Sequence, residues 1–237
     1  MIYNGNIKKA YQEYLDKKQK ANEEGTEFNE IEPRKDPLIP IIGCEFYISD
    51  RPEQKQFTKD DPDRRTNVVL LAKNFNGYKN LAKLSSLGYV NGFYFGVPRI
   101  SRKMIAEYKE DLIAFTAGTS GDIPSMILEF GEQKGEEIFK WWKDTFGDDF
   151  YVQLQNHQVE EEEHLNEVLL EFAEKYEVKI LAQNETFYTE KSEANIQDIL
   201  YCIKDGEKLS SPVGKGFGKR RGLPSSEYYI KDTDDLR

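Results

Sequence analysis

Two histidines, His157 and His164, are the whole imidazole supply of this chain. Their neighbours limit what they can do. His157 follows a strand-forming run, in Leu154-Gln-Asn-His-Gln158, and His164 sits in Glu160-Glu-Glu-Glu-His-Leu165, which reads as a solvated helix face. Neither has a second histidine nearby, so no acid–base pair and no metal-binding spacing emerges from them. The four glutamates at 160–163 fall at a helix N-terminus, where the dipole favours negative charge, and that accounts for them. Gly118-Thr-Ser-Gly121 lacks the strained elbow of a serine nucleophile, and no phosphate-cradling GxxxxGK[ST] loop occurs. Gly214-Lys-Gly-Phe-Gly-Lys-Arg-Arg-Gly222 is the one concentrated basic patch. No strand precedes its glycines, so they do not make a dinucleotide site. The segment reads as a flexible loop, and the rival reading is phosphate contact through Lys215, Lys219, Arg220 and Arg221.

The totals narrow the class further. At 237 residues with 38% hydrophobic and 13% aromatic residues, the chain can bury a sizeable core and is not disordered as a whole. A net charge of −10 opposes binding to nucleic acid unless positive charge is gathered locally. Cys44 and Cys202 stand alone, without CxxC spacing, which fits a reducing cytoplasm and no disulfide framework. No apolar leader follows Met1, and no run approaches the ~20 apolar residues of a membrane helix, so no membrane partner is expected.

The elements that must position any site alternate between helix and strand. A helix is expected at 6–22, with Ile7, Ala10, Tyr11, Tyr14 and Leu15 at helical spacing, followed by a polar loop at 23–37. Strands are expected at 38–49, 68–72, 111–117, 150–155 and 178–183; the first two are nearly continuous apolar runs, as in buried parallel strands. The segment 51–65, charged and carrying Pro52 and Pro62, is a loop. Helices are expected at 77–87, from a Ser101 cap to 108, at 122–130 with Pro124 in the first turn, at 133–146, at 160–176, and from a Ser192 cap to 203. Of the neighbours Trp141 and Trp142, one faces the core and the other a partner surface. Such alternation predicts an α/β fold with a parallel sheet or barrel.

Four segments carry a resemblance: Pro40-Ile-Ile-Gly-Cys-Glu-Phe-Tyr47, Asn67-Val-Val-Leu-Leu-Ala-Lys-Asn-Phe-Asn-Gly-Tyr-Lys-Asn-Leu81, Leu112-Ile-Ala-Phe-Thr-Ala-Gly118 and Ile180-Leu-Ala-Gln-Asn-Glu-Thr-Phe-Tyr188. In order and spacing they resemble the PHP (polymerase and histidinol phosphatase) domain of bacterial DNA polymerase III alpha subunits, over nearly the whole chain from Gly5. The resemblance implies a distorted (β/α)7 TIM-like barrel. It also implies that residues 1–8 match the helix just after the first ligand cluster, so this barrel is partial and lacks the first β/α elements. Residues 1–203 would be the truncated domain, and 204–237 an irregular extension toward the polymerase core.

The same resemblance assigns the site. Glu45 stands at a metal-bridging glutamate, and Glu185 at the first residue of an Asp-x-His pair. The other ligand positions are degenerate: Asn67 for a histidine, Gly118 for a cysteine or histidine, and Phe187 for the second member of that pair. His157 matches a histidine of the family that is not read as a ligand. Members of the family use zinc, manganese or magnesium; with this donor set no cofactor is expected here. The implied role is structural, as a scaffold in DNA replication. Its partners would be the remaining polymerase domains and a proofreading exonuclease subunit, with DNA met only in the holoenzyme. The alternative is a metal-dependent phosphoesterase or 3′–5′ proofreading exonuclease built on Glu45, Glu185 and other carboxylates. An unpaired sheet edge left by a partial barrel would invite dimerisation.

Overall fold

The computed structural model describes residues 2–33, 39–214 and 218–232. It divides into two compact units, Met1–Ile41 and Ile42–Arg237. The first is built on α1, Ile2–Glu24. Tyr14 is buried there, edge-on to Phe28, and Lys17 pairs with Glu30 at 2.9 Å. The expected helix is present and extends beyond the expected bounds at both ends.

The second unit holds a six-stranded sheet. Its strands are β1 (Gly43–Ile48), β2 (Thr66–Ala72), β3 (Arg99–Ile100), β4 (Leu112–Phe115), β5 (Phe150–Leu154) and β6 (Lys179–Ala182), in the order β3-β1-β2-β4-β5-β6. All five expected strands share this sheet. The expectation that it is parallel throughout is corrected: β2 runs antiparallel to both β1 and β4, and only β1–β3, β4–β5 and β5–β6 are parallel. The cause lies in the connection. A parallel pair needs a crossover, usually helical, whereas 51–65 is a loop that returns the chain directly to the neighbouring position. The expected first strand also shortens. Residues 39–42 are not strand, Pro40 has no N–H to give a ladder, and Leu38 lies outside the described residues. β3, two residues long, carries no periodicity and was not expected.

The helices of this unit are α2 (Phe75–Asn91), α3 (Arg102–Glu107), α4 (Asp122–Phe130), α5 (Glu132–Phe146), α6 (Glu160–Lys175) and α7 (Ala194–Asp205). The motif between β2 and α2 now has a physical reading. Asn74 Oδ1 caps α2 by accepting from the amides of Asn76 and Gly77. Gly77 is needed because a Cβ there would lie 2.2 Å from the Asp111 carbonyl oxygen. Ser101 caps α3 as expected, accepting from Met104 N at 3.2 Å. The cap expected at Ser192 is corrected: Glu190 and Glu193 form a reciprocal capping box over the turn Lys191–Glu193 that leads into α7.

α5 presents Phe139 and Trp142 to the core, where Phe139 meets Phe150 and Phe172 edge-on at 5.3 Å each. Trp141 packs edge-on to Trp142 at 5.0 Å and stays half-buried, so the two indoles do divide between core and periphery. Two buried polar knots lock the loops. Arg99, fully buried, donates to the carbonyls of Gly92, Pro52 and Gln54 and to Asp63, which fixes 51–65 against 92–98. Asp122, 2% exposed, accepts from Thr66 Oγ1 (2.8 Å), Arg102 Nε (2.7 Å) and Nη2 (2.6 Å), and Trp142 Nε1 (2.8 Å). Removing one partner of such a cluster leaves the others buried and unpaired. Asp122→Ala is expected to destabilise the fold by about 3–5 kcal/mol, read from the midpoint of urea unfolding, and Asp122→Asn by clearly less. Equal, small effects of the two substitutions would show that the knot is not structural.

Candidate functional site

Glu45 and Asn67 lie on the paired antiparallel strands β1 and β2, two register steps apart. That offset puts their side chains on one face, and Asn67 Nδ2 donates to Glu45 Oε1 at 2.6 Å and to Ser120 Oγ at 3.2 Å. Gly118 follows β4, in a loop held to β2 by the Asn67 N–H, which donates to the Ser120 carbonyl at 2.9 Å. Gln153 and Gln155 come from β5 and its end, and Gln183 and Glu185 from the loop after β6. With Glu162 and Tyr228 these residues line a cleft of about 190 Å³. Four of the five positions singled out by the resemblance, Glu45, Asn67, Gly118 and Glu185, therefore face one space.

Phe187 does not join them. Its ring packs at 5.8 Å from Tyr228 and 6.5 Å from Tyr201, and its amide donates to the Tyr228 carbonyl. Above Gly118 the space is already filled: a Cβ there would lie 2.6 Å from Gln155 Oε1. Among the described residues, no three His, Cys, Asp or Glu side chains come together as a set able to hold a metal ion. The donors do not fit a zinc or manganese centre, which draws on converging imidazole, thiolate or carboxylate groups.

A pairing that sequence reasoning missed borders the cleft. His157 is buried, with Nδ1 at 2.7 Å from Glu162 Oε1 and Nε2 at 3.1 Å from the Glu185 carbonyl oxygen. Its backbone N–H donates to Glu162 Oε2, and its ring stacks on Tyr228 with centroids 4.0 Å apart. Both ring nitrogens face acceptors, a pattern satisfied by the doubly protonated ring. Burial opposes the charge, but the Glu162 carboxylate and the Glu185 carbonyl outweigh it and raise the His157 pKa. Burial and the charges of Glu162 and Glu185 push the Tyr228 hydroxyl up to about 12. Glu162 was hidden within a run of four glutamates, three of which need no partner; only its burial sets it apart.

Tyr228 belongs to the segment after α7, whose described residues carry only isolated β-bridges as regular structure yet are anchored. Ser225 Oγ donates to the His157 carbonyl at 2.6 Å, Tyr229 bridges Tyr188, and buried Glu227 pairs with Lys191 and, at 2.6 Å, with Lys231. The basic patch is also tied down in part. Arg220 is buried and donates to Ser211 O, Arg221 O and Asp198 Oδ2, so it is no free phosphate contact. Arg221 pairs with Asp205 at 3.3 Å and lies over the Tyr201 ring. Lys219 is exposed, and Lys215 lies outside the described residues. A wider groove of about 500 Å³, sharing no lining residue with this cleft, runs along Ile48 and Phe130. Its cations Arg64, Arg102 and Lys134 are each already paired with carboxylates, so it shows no unspent charge.

The mixed six-stranded sheet, with four of the singled-out positions facing one cleft, is consistent with a PHP domain, and comparison with known proteins shows the family. Residues 5–157 match the model of the PHP domain family, and the chain belongs to that family. It is similar to the DNA polymerase III subunit alpha of Borreliella burgdorferi, 36% identical over 210 residues that cover 86% of this chain and 17% of the relative. It is also similar to that subunit of Thermus aquaticus, 34% identical over 84% of this chain and 16% of the relative. For Aquifex aeolicus the identity is 37%, over 70% of this chain and 15% of the relative. The chain thus spans about a sixth of the length of these relatives. Among the described residues no helix is long and apolar enough to cross a membrane.

The raised His157 pKa gives the attachment of the last segment a pH dependence with a definite sign. Its stabilisation is fully present below the unfolded value, about 6.5, and is lost as pH rises through the higher folded value. His157→Phe, which keeps the stacking but not the charge, is expected to be less stable than the unsubstituted chain at about pH 6. The gap should narrow steadily toward alkaline pH. Urea unfolding of both proteins across that range checks this, and a gap that widens with pH would contradict the assignment.

Proposed function

We propose that this PHP domain serves a DNA polymerase III alpha-type enzyme by contact, as a structural and scaffolding part, and that its cleft is a metal-free descendant of a hydrolytic site. The observation that carries the reading is the donor set: Asn67 occupies Glu45, Gln155 fills the space over Gly118, and Phe187 is turned to aromatic rings. The relatives' length supports the rest of the reading, since most of each relative lies outside the similarity. Polymerisation of DNA would then belong to the remaining polymerase domains, which this domain buttresses. A proofreading exonuclease subunit is the further partner, DNA is met in the assembled enzyme, and the setting is cytoplasmic.

The finer fold belongs to the same proposal. The six strands are read as most of a distorted (β/α)7 barrel. The parallel run β4-β5-β6, with α4–α5 and α6 as its crossovers, supports this, and the antiparallel β2 marks where the barrel is distorted.

Two measurements test the function. Elemental analysis after dialysis is expected to find zinc and manganese at trace level, with no cleavage of single- or double-stranded DNA when either metal is added. A full equivalent of metal that is lost in Glu45→Ala, together with DNA cleavage, would favour the phosphoesterase or 3′–5′ exonuclease reading. Duplex binding by the chain at physiological salt is expected to be weaker than micromolar, given its net charge of −10. Any residual binding should fall with rising salt and with Lys219→Ala. Tight binding indifferent to both would contradict the reading.

A further inference from the structure

We propose that the cleft beside Glu45 is a receptor for a guanidinium group, an arginine side chain presented by another protein segment. This rests on the reading of the domain as a contact part, and it names what the contact engages.

The first observation is unspent hydrogen-bonding capacity. Gln153 and Gln155 are 6% and 8% exposed, both line the cleft, and neither side-chain amide has a hydrogen-bond partner among the described residues. Their polar atoms are not among the described side-chain atoms sealed from solvent without a partner, so they open onto the cleft with their bonding capacity free. Two at one wall, facing the same opening, offer a polar ligand four donor and acceptor groups that no other side chain uses.

The second observation is charge. Three carboxylates line the cleft, and no described lining residue is Lys or Arg. Glu162 is committed to His157. Glu45 receives one bond, from Asn67, on Oε1 alone, and the Glu185 carboxylate has no hydrogen bond or ion pair among the described residues. Two negative charges therefore remain uncompensated beside the two buried carboxamide groups.

Together these choose the ligand class. A phosphate or carboxylate would meet Glu45 and Glu185 with like charge. A neutral polar molecule would satisfy the amides but leave both carboxylates unpaired. A metal ion draws on a converging set of carboxylate, imidazole or thiolate donors, and the described residues bring no three of them together here. A guanidinium offers five donors in a planar fork and no acceptor, which matches carboxylate and carboxamide oxygens on several sides at once. The space of about 190 Å³ corresponds to about six waters at ~30 Å³ each, room for the planar head and part of its stem. Glu45 and Glu185 lie at the exposed mouth, where entry from a neighbouring protein surface is open.

The test uses the whole chain with ¹⁵N-labelled side-chain amides and N-acetyl-arginine amide as the probe. The expected result is a saturable shift of the Gln153 and Gln155 signals with a millimolar midpoint, as suits one side chain lacking its protein context. N-acetyl-citrulline amide, its neutral analogue of the same shape, should be at least tenfold weaker. The paired substitution Glu45→Gln and Glu185→Gln, which preserves shape at two exposed positions, should abolish the response. No saturation, equal response to the citrulline probe, or a response that survives the paired substitution would each overturn the proposal. A separate titration with Mn²⁺ guards the underlying reading. Broadening of the same signals at micromolar Mn²⁺ would overturn the contact reading itself, whereas failure of the arginine probe with no manganese effect would overturn only this inference.

Discussion

In the interior of the larger unit, the Asp122 carboxylate accepts four hydrogen bonds, from β2, from α3 twice, and from α5. Asp122 is itself the first residue of α4, where its charge also meets the favourable end of the helix dipole. The loop before it, 116–121, carries Gly118 and Ser120 to the cleft, and Asn67 holds that loop through Ser120. The position of the cleft wall over β2 thus follows from how firmly Asp122 is held. An ionised group taken out of water this completely is sustained only when every acceptor site is used, and here the guanidinium and the indole leave little unused.

The sheet adds the second constraint. Because β2 is antiparallel to both neighbours, residues 45 and 67 meet diagonally across the β1–β2 pair while 118 and 185 arrive from beyond the ends of other strands. This geometry gathers a carboxylate already bonded to an amide, a glycine roofed by a glutamine, and a second carboxylate. The cleft is held in shape by β-ladders, by His157 and by the anchored segment at Tyr228.

Much of this was legible in advance, and what was not has identifiable causes. Helix starts at Ser101 and Asp122, and Pro124 in the first turn, depend on local chemistry and could be read directly. Strand direction at β2 depends on what the connecting chain does, so a buried apolar run looked parallel. β3 is too short for any pattern. The partner of His157 lies five residues away in an acidic run whose other members face solvent, and burial, the one distinguishing mark, is a tertiary property. Arg220 looked like part of a cationic loop because its neutraliser, Asp198, is 22 residues distant. The five ligand positions came through resemblance; Gln153 and Gln155, which give the cleft its present character, carried no sequence signal of their own.

The central claim is that the cleft is organised for contact and not for metal-assisted hydrolysis. Its most direct test is anomalous scattering from crystals of this chain grown with manganese, with data collected near the metal's absorption edge. The account predicts no anomalous peak between Glu45 and Glu185, and Asn67 still bonded to Glu45. A strong peak there, with Asn67 displaced and both carboxylates turned onto the ion, would contradict it.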